Sequence, residues 1–383
     1  MDTQSSVALE IINRGDVAPW ILQGWQRMLQ KSKSLFTMYQ SPEWWDHLDA
    51  KCNDSELCLI IAKNIKGELI GVLPLQVTTH VLNFMLGRFL LMRLSLKSAI
   101  VLGGQPLLSE YGDVYGHLFN FVWSALPDCN AIYMKSVPRE SSAWQFFVSC
   151  HWQSNDYFIY RPDGVRTFHS VNLPSTFNEY ISKFSKKKRY NLKRQVRLLR
   201  EHFDGKLNLI CVDSDHAVDE FVDGMESVTS HAWQYRQKIL KLSDLTMKKK
   251  ELKDLALRGL LRSYLLKCGD HYSAFVLGYQ FQEIFHYSDI SYDERLARFS
   301  PGNVMLYMLI EDLISRKPPQ WINFGIGDSE YKRQFGNCLS EDTDILLLRK
   351  TFLNRLRLGT HMTFRKSLKC AKFLLRRKIS DLF

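Results

Sequence analysis

Apolar positions change their period several times along the chain, and each change marks a predicted element. "LCLIIAK" (57–63) and "ELIGVLPLQV" (68–77) are short apolar runs separated by the turn "NIKGE", a pattern that predicts two strands. Upstream, "YQSPEWWDHL" places Ser41 at an N-cap and Pro42 at the first helical position. Downstream come a basic apolar stretch, Val81–Gly104, and the loop "SEYGDVYG". A helix through "LFNFVWSAL" and the strand "AIYMKSV", closed by Pro138, complete the first half.

A linker-like segment, "IYRPDGVRTF", opens the second half. "PSTFNEYISKFSKKKRYNLKRQVRLLREHF" reads as one long amphipathic helix or a helix pair. Leu192, Val196 and Leu199 share one face; Arg189, Lys193, Arg197 and Arg200 share another. "KLNLICV" predicts a strand, "HAVDEFVDGMESVTSHAW" a helix, and "LKDLALRGLLRSYLLKCG" a further helix ended by Gly269. Then "HYSAFVLGY" and "EIFHYSDISY" predict two strands, "DERLARF" a loop, and "SPGNVMLYMLIEDLISRK" an apolar helix with Ser300 able to cap it. "QWINFGI" (strand), "SEYKRQF" (short helix) and "TDILLLRK" (strand) follow. This order predicts an α/β fold, a mixed sheet with helices packed on it.

At 383 residues the chain suits two domains of roughly 150 residues each rather than one core. The expected division is a lead segment 1–33, a first domain 34–162, a second domain 163–348 and a basic tail 349–383. Composition is that of a folded protein, 45% hydrophobic and 24% charged. The first thirty residues hold Asp2, Glu10 and Asp16 and no unbroken apolar core, so no secretory signal is expected; Arg88, Arg93 and Lys97 interrupt the most apolar stretch and argue against a spanning helix. The expected location is cytoplasmic. The eight cysteines are scattered without a CxxC pair and the histidines lack HxxxH or HxH spacing, so reduced structural thiols and no metal are expected.

Net charge is +11 and is concentrated. Arg349 to Lys378 holds eleven Lys/Arg and no acid, and Lys183 to Arg200 holds nine basic residues and no acid. Two local patches of this kind point to anionic partners. Phe364, Leu368, Phe373 and Leu374 among the basic residues of the tail suit an amphipathic helix at the inner face of an anionic membrane.

Candidate chemistry gathers between Tyr292 and Asn337. The predicted helix start at Ser300, Pro301, Gly302 and Asn303 follows a strand, and free backbone N–H groups there favour an anion, with Arg295 and Arg298 just upstream. "WINFGIGDSEYKRQFGN" (321–337) adds two glycines, Asp328 and Tyr331-Lys332. A phosphate loop, a catalytic lysine and a plain turn all fit that order.

"SYDERLARFSPGNVMLYMLIEDL" and "WINFGIGDSEYKRQFGN" resemble acyltransferases of the CelD type from cellulose biosynthesis, within the GNAT superfamily and related to the Fem peptidoglycan aminoacyl transferases. "YISKFSKKKRYNLKRQVRLLRE" resembles their basic helix, and His231-Ala232-Trp233 falls where they carry a small residue and tryptophan. "YQSPEWW", "GVLPLQV" and "SVPRESSAW" resemble their N-terminal half. The resemblance implies two tandem GNAT-like domains, each a mixed, mostly antiparallel sheet flanked by helices. It also implies direct transfer of an acyl group from a thioester, commonly acetyl-CoA or another acyl-CoA, to an amine on an exopolysaccharide or cell-envelope precursor. It sets Ser300, Pro301, Gly302, Asn303 and Arg298 at the donor's pyrophosphate. The usual Q/R-x-x-G-x-G/A loop is replaced by "RFSPGN", so acyl carrier protein and aminoacyl-tRNA also fit as donors, and a non-catalytic accessory protein remains a third reading. The attacking ammonium must lose a proton; Asp293 and Asp289 are the first candidates for the base, with His286, Asp328 and Glu330 behind them. Lys332 would stabilise charge on the carbonyl or hold a phosphate, Tyr331 would protonate the leaving thiolate, and Arg189, Lys193, Trp233, His286 and Asp328 would meet the acceptor.

Overall fold

The computed structural model describes residues 7–51, 56–87, 89–109, 114–149, 157–232 and 245–380. Contacts divide the chain into two units, Met1–Arg166 with Glu341–Phe383, and Thr167–Ser340.

The first unit begins with an edge strand, β1 (Ala8–Asn13), and the helix α1 (Pro19–Lys31). The helix α2 (Pro42–Lys51) starts as its sequence predicts, with the Ser41 hydroxyl accepting from the Trp44 N–H at 3.1 Å. Strands β2 (Glu56–Lys63), β3 (Leu69–Leu86) and β4 (Phe89–Val101) form an antiparallel meander with β1. The short β5 (Leu107–Leu108) pairs β3. The stretch 81–101, left without an element in the sequence reading, is therefore the far end of a hairpin. After the helix α3 (Val114–Ala125), β6 (Ala131–Pro138) lies parallel to β4, and β7 (Tyr157–Tyr160) ends this part. Ile60, Leu73, Phe119, Val122 and Met134 make the core.

The second unit opens with β8 (Val165–Asn172). The basic segment is a helix pair, α4 (Phe177–Ser182) and α5 (Lys186–His202), broken where Ser185 caps α5 through the Lys188 N–H at 3.3 Å. Leu192 and Leu199 are buried, as the periodicity requires. Next come β9 (Leu207–Val212), α6 (Val218–Ser230) and α7 (Leu245–Leu257). Here the structure corrects the sequence reading: "LKDLALRGLLRSYLLKCG" is not one helix. Gly259 (φ +70°) ends α7, and its tail becomes β10 (Ser263–Cys268), antiparallel to β9. A fully buried strand and a buried helix share the same continuous apolar signal.

Strands β11 (His271–Phe281) and β12 (Ile284–Tyr292) form a hairpin. The expected loop 293–299 is a 3-10 helix, Glu294–Phe299, followed by α8 (Pro301–Ser315). β13 (Trp321–Ile326) lies parallel to β12 and antiparallel to β8, and α9 (Glu330–Phe335) follows. Helices α5 and α8 cover the sheet with Leu192, Leu199, Val304, Met305 and Leu309 against Phe285 and Ile322.

The chain then returns to the first unit. β14 (Cys338–Arg349) pairs β6 along Asp342–Leu348 and β7 along Leu346–Arg349, and α10 (Phe352–Ser380) follows. Phe364 does not face outward as the tail was read: its ring packs 5.2 Å from Phe84 on β3. Both units share one plan, three antiparallel strands, a helix, and a strand parallel to the third. This is the tandem GNAT-like architecture that the sequence resemblance implies.

Candidate active site

β12 and β13 pair over only three positions, Ile284–Trp321, Phe285–Ile322 and His286–Asn323. Each strand then turns away. On β12, Leu277 pairs Asp289 while Gly278 pairs Tyr287, so Ser288 is an inserted residue. On β13, the Asn323 carboxamide oxygen accepts from the Gly325 N–H at 2.8 Å, and Gly325 takes φ +73°. That left-handed conformation favours glycine, and the register to β8 slips there. The two glycines of "WINFGIG" therefore shape the end of a parting strand.

Three aromatic rings pack together where the strands part. Tyr287 lies edge-on to Phe324 with ring centroids 5.2 Å apart, and 6.0 Å from Tyr331 on α9. Tyr287 is 4% exposed, and its hydroxyl has no hydrogen-bond partner among the described residues. Leaving a buried hydroxyl unpaired costs about 1–3 kcal/mol. Burial holds the phenols of both Tyr287 and Tyr331 protonated well past neutral pH. Sequence reasoning missed Tyr287; its signal was a tyrosine in a strand directly before a polar bulge.

Lys332 reaches back from α9 and donates to the Ile326 carbonyl at 2.6 Å. Its ammonium has three N–H groups, so two remain for a guest. Burial lowers its pKa. Gly327 lies beside it at φ +101°, a backbone conformation that favours glycine, although an added Cβ would meet the Lys332 nitrogen only in ordinary contact at 3.9 Å. The far end of α9 is anchored from α4: Tyr180 donates to the Phe335 carbonyl at 2.7 Å, and Lys183 donates to the Phe335 and Gly336 carbonyls. Desolvation beside the Tyr180 and Phe184 rings draws Lys183 down to about 8.

The candidate bases separate by their surroundings. Asp293 is buried and committed: it caps the 3-10 helix through the Arg295 N–H at 2.9 Å and forms an ion pair with the Arg295 guanidinium. Burial alone would raise its pKa, but the hydrogen bonds from Arg295 bring it below the usual value. Asp328 accepts from His169 at 3.1 Å and from Arg333 at 2.8 Å, and those bonds, His169 first, lower its pKa. His286 is fully buried beside Asn323, and burial lowers it to about 3, which makes it a neutral core residue. Asp289 stands exposed at the bulge, and its carboxylate accepts no hydrogen bond among the described residues. A base needs that freedom. Burial pushes the Cys58 thiol up to about 12, so it offers no nucleophile.

At the start of α8, Ser300 adopts φ +56°, ψ +53°, and its side chain makes no capping bond, contrary to expectation. The N–H groups of Asn303 and Val304 donate to the Ser300 carbonyl at 3.0 and 3.1 Å. The amide of Gly302 is the one left without such a bond among these described residues, with Pro301 buried beside it. Arg298 is exposed and stacks 4.6 Å from the Phe299 ring centroid, while Arg295 is held by Asp293. Phe299 also stacks on His202 of α5 at 4.6 Å.

A groove of about 440 Å³ runs between α4 and α5, lined by Asn178, Ser182, Lys186, Arg189, Tyr190 and Lys193 among others. Arg189 is half structural here: it donates to the Ser182 and Phe184 carbonyls at the end of α4. Lys186 and Lys193 are exposed. Trp233 lies outside the described residues.

The sequence profile of the family described as "Acetyltransferase (GNAT) domain" matches residues 186–333. That span carries α5, the parting strands and most of α9. Among solved structures, FemX is similar at 11% identity over 91% of this chain and 100% of its own, with a TM-score of 0.62. A tandem GNAT protein from the clavulanic acid biosynthesis pathway is similar at 7% identity over 89% of this chain and 98% of its own, TM-score 0.50. The C-terminal domain of a putative lysylphosphatidylglycerol synthetase from Agrobacterium fabrum gives 10% identity over 91% and 96%, TM-score 0.50. No curated protein matches the chain.

Proposed function

Starting from the GNAT acyltransferase fold established above, we propose that this protein is a CelD-like N-acyltransferase that moves an acyl group from an acyl-CoA to an amine on an exopolysaccharide or cell-envelope precursor, in the cytoplasm. The observation that carries this reading is the buried Tyr287 hydroxyl, which has no hydrogen-bond partner among the described residues, with its ring 6.0 Å from that of Tyr331 on α9 where β12 and β13 part; Lys332 is the next residue of that helix. A thioester is already activated, so an aligned amine attacks its carbonyl carbon directly. The C–N bond forms, the C–S bond breaks, and no residue of the chain is acylated. Lys332 and Tyr287 donate to the carbonyl oxygen as charge builds on it. Asp289 takes the ammonium proton before attack, Tyr331 protonates the leaving thiolate, and the second proton that the nitrogen sheds as the amide forms restores the Tyr331 phenol. Gly302 and Arg298 at the start of α8 are the donor's phosphate contacts, and the α4–α5 groove holds an anionic part of the acceptor.

That groove also favours a second reading, a Fem-type transferase using aminoacyl-tRNA, because its lysines and Tyr190 suit a phosphate backbone with a stacked base. Isothermal calorimetry separates the two. Saturable heat with acetyl-CoA or a longer acyl-CoA, weakened at least about tenfold by Lys332→Ala, supports the first. No heat with any acyl-CoA, alongside tight and salt-sensitive tRNA binding, transfers the assignment to the second. Neither kind of binding sinks both and leaves an accessory role.

A further inference from the structure

We propose that the tip of the β3–β4 hairpin, with the basic helix α10 beside it, is a docking surface for an anionic lipid bilayer. Beyond Val77 on β3 and before Ser98 on β4, the two strands pair only with each other among the described residues. They form a two-stranded ribbon leaving the sheet. Its base is covered: Leu82 and Leu96 are buried with Leu358 of α10, and Phe84 meets His361 and Phe364 at 4.9 and 5.2 Å.

Past Phe84 the alternation of buried and exposed positions stops. Leu86, Leu91 and Met92 are 49%, 57% and 49% exposed, and Leu90 is open as well. Leu91 is an inserted residue, since Phe84 pairs Met92 and Met85 pairs Leu90. Apolar side chains thus point out of both faces of the ribbon tip. Such a patch on a soluble surface marks an interaction site.

Charge selects the occupant. Residues 81–101 carry Arg88, Arg93 and Lys97 and no acid, and α10 carries nine Lys/Arg and no acid. Lys97 and Arg365 are answered within the chain by Asp128 and Asp163, but two copies joined through this surface would still bring an excess of like charges face to face. A bilayer rich in phosphate headgroups answers both features, accepting Leu and Met side chains into its acyl boundary while Lys and Arg stay at the headgroups.

Cosedimentation of the full chain with vesicles tests this. The chain should pellet with phosphatidylcholine vesicles containing phosphatidylglycerol, far less with pure phosphatidylcholine, and high salt should release it. Leu86→Asp with Leu91→Asp should lower partitioning about tenfold or more, and so should Arg93→Glu with Lys366→Glu. All four residues are exposed, so thermal melts of the variants should match the parent. Acyl-CoA calorimetry on the same variants should be unchanged, so failure here and failure of the catalytic reading are distinguishable. A chain that stays in solution with anionic vesicles, or tip variants that bind like the parent, overturns the proposal. So does a dimer in light scattering that Leu91→Asp dissolves, because a second copy would then be the occupant.

Discussion

At Gly325 a single dihedral angle decides whether the site exists. The strand must leave its parallel neighbour there, and φ +73° is open to glycine at no steric cost. Gly325→Ala should destabilise the protein by about 1–2 kcal/mol, read by urea unfolding, and should cost activity as well. The two aspartates flanking the loop should part company. Asp289→Asn should lower turnover with an unchanged melting temperature, whereas Asp293→Ala, which removes the cap on the 3-10 helix and frees Arg295, should cost about 1 kcal/mol of stability. Equal melting temperatures for the two would reverse the assignment of roles. Lys332 was visible in the sequence because a lysine following a glycine-bearing strand is a chemical pattern. Tyr287 was not, because what distinguishes it is a missing hydrogen bond, and that is a property of packing.

Elements were legible where one face is wet and obscure where both are dry. α5 shows its apolar stripe plainly, and Leu192→Ala should cost about 2–5 kcal/mol by opening a cavity under α8. Measured by denaturant titration, a loss below about 0.5 kcal/mol would mean that α5 is not seated on this core. β10 was mistaken for the end of a helix since all but one of its residues are buried, leaving no alternation to read. The β3–β4 ribbon went without an element for the opposite reason: its tip has apolar residues on both faces, which neither a half-buried strand nor a helix predicts.

Over the whole molecule, acid should be felt through His286. Its folded pKa lies near 3, below the ordinary value of about 6.5. The neutral form is the one the fold holds, so this contribution is complete above the unfolded value. It is lost as pH falls from about 6.5 toward 3, at up to about 1.4 kcal/mol per pH unit. Urea midpoints between those limits should fall more steeply for the parent than for His286→Gln. Long-range pairing was the part of the architecture that no local pattern carried. β6 and β14 are far apart in sequence, and only the folded sheet brings Asp342–Leu348 to Ala131–Pro138. That pairing also sets a timetable. During synthesis the ribosome releases every other strand of the first unit before β14, so the edges of β6 and β7 wait open while residues 167–340 emerge. The second unit is continuous and has its strands and helices in hand sooner. In the growing chain, the part made first is the part finished last, and open strand edges over that interval are a call on chaperones.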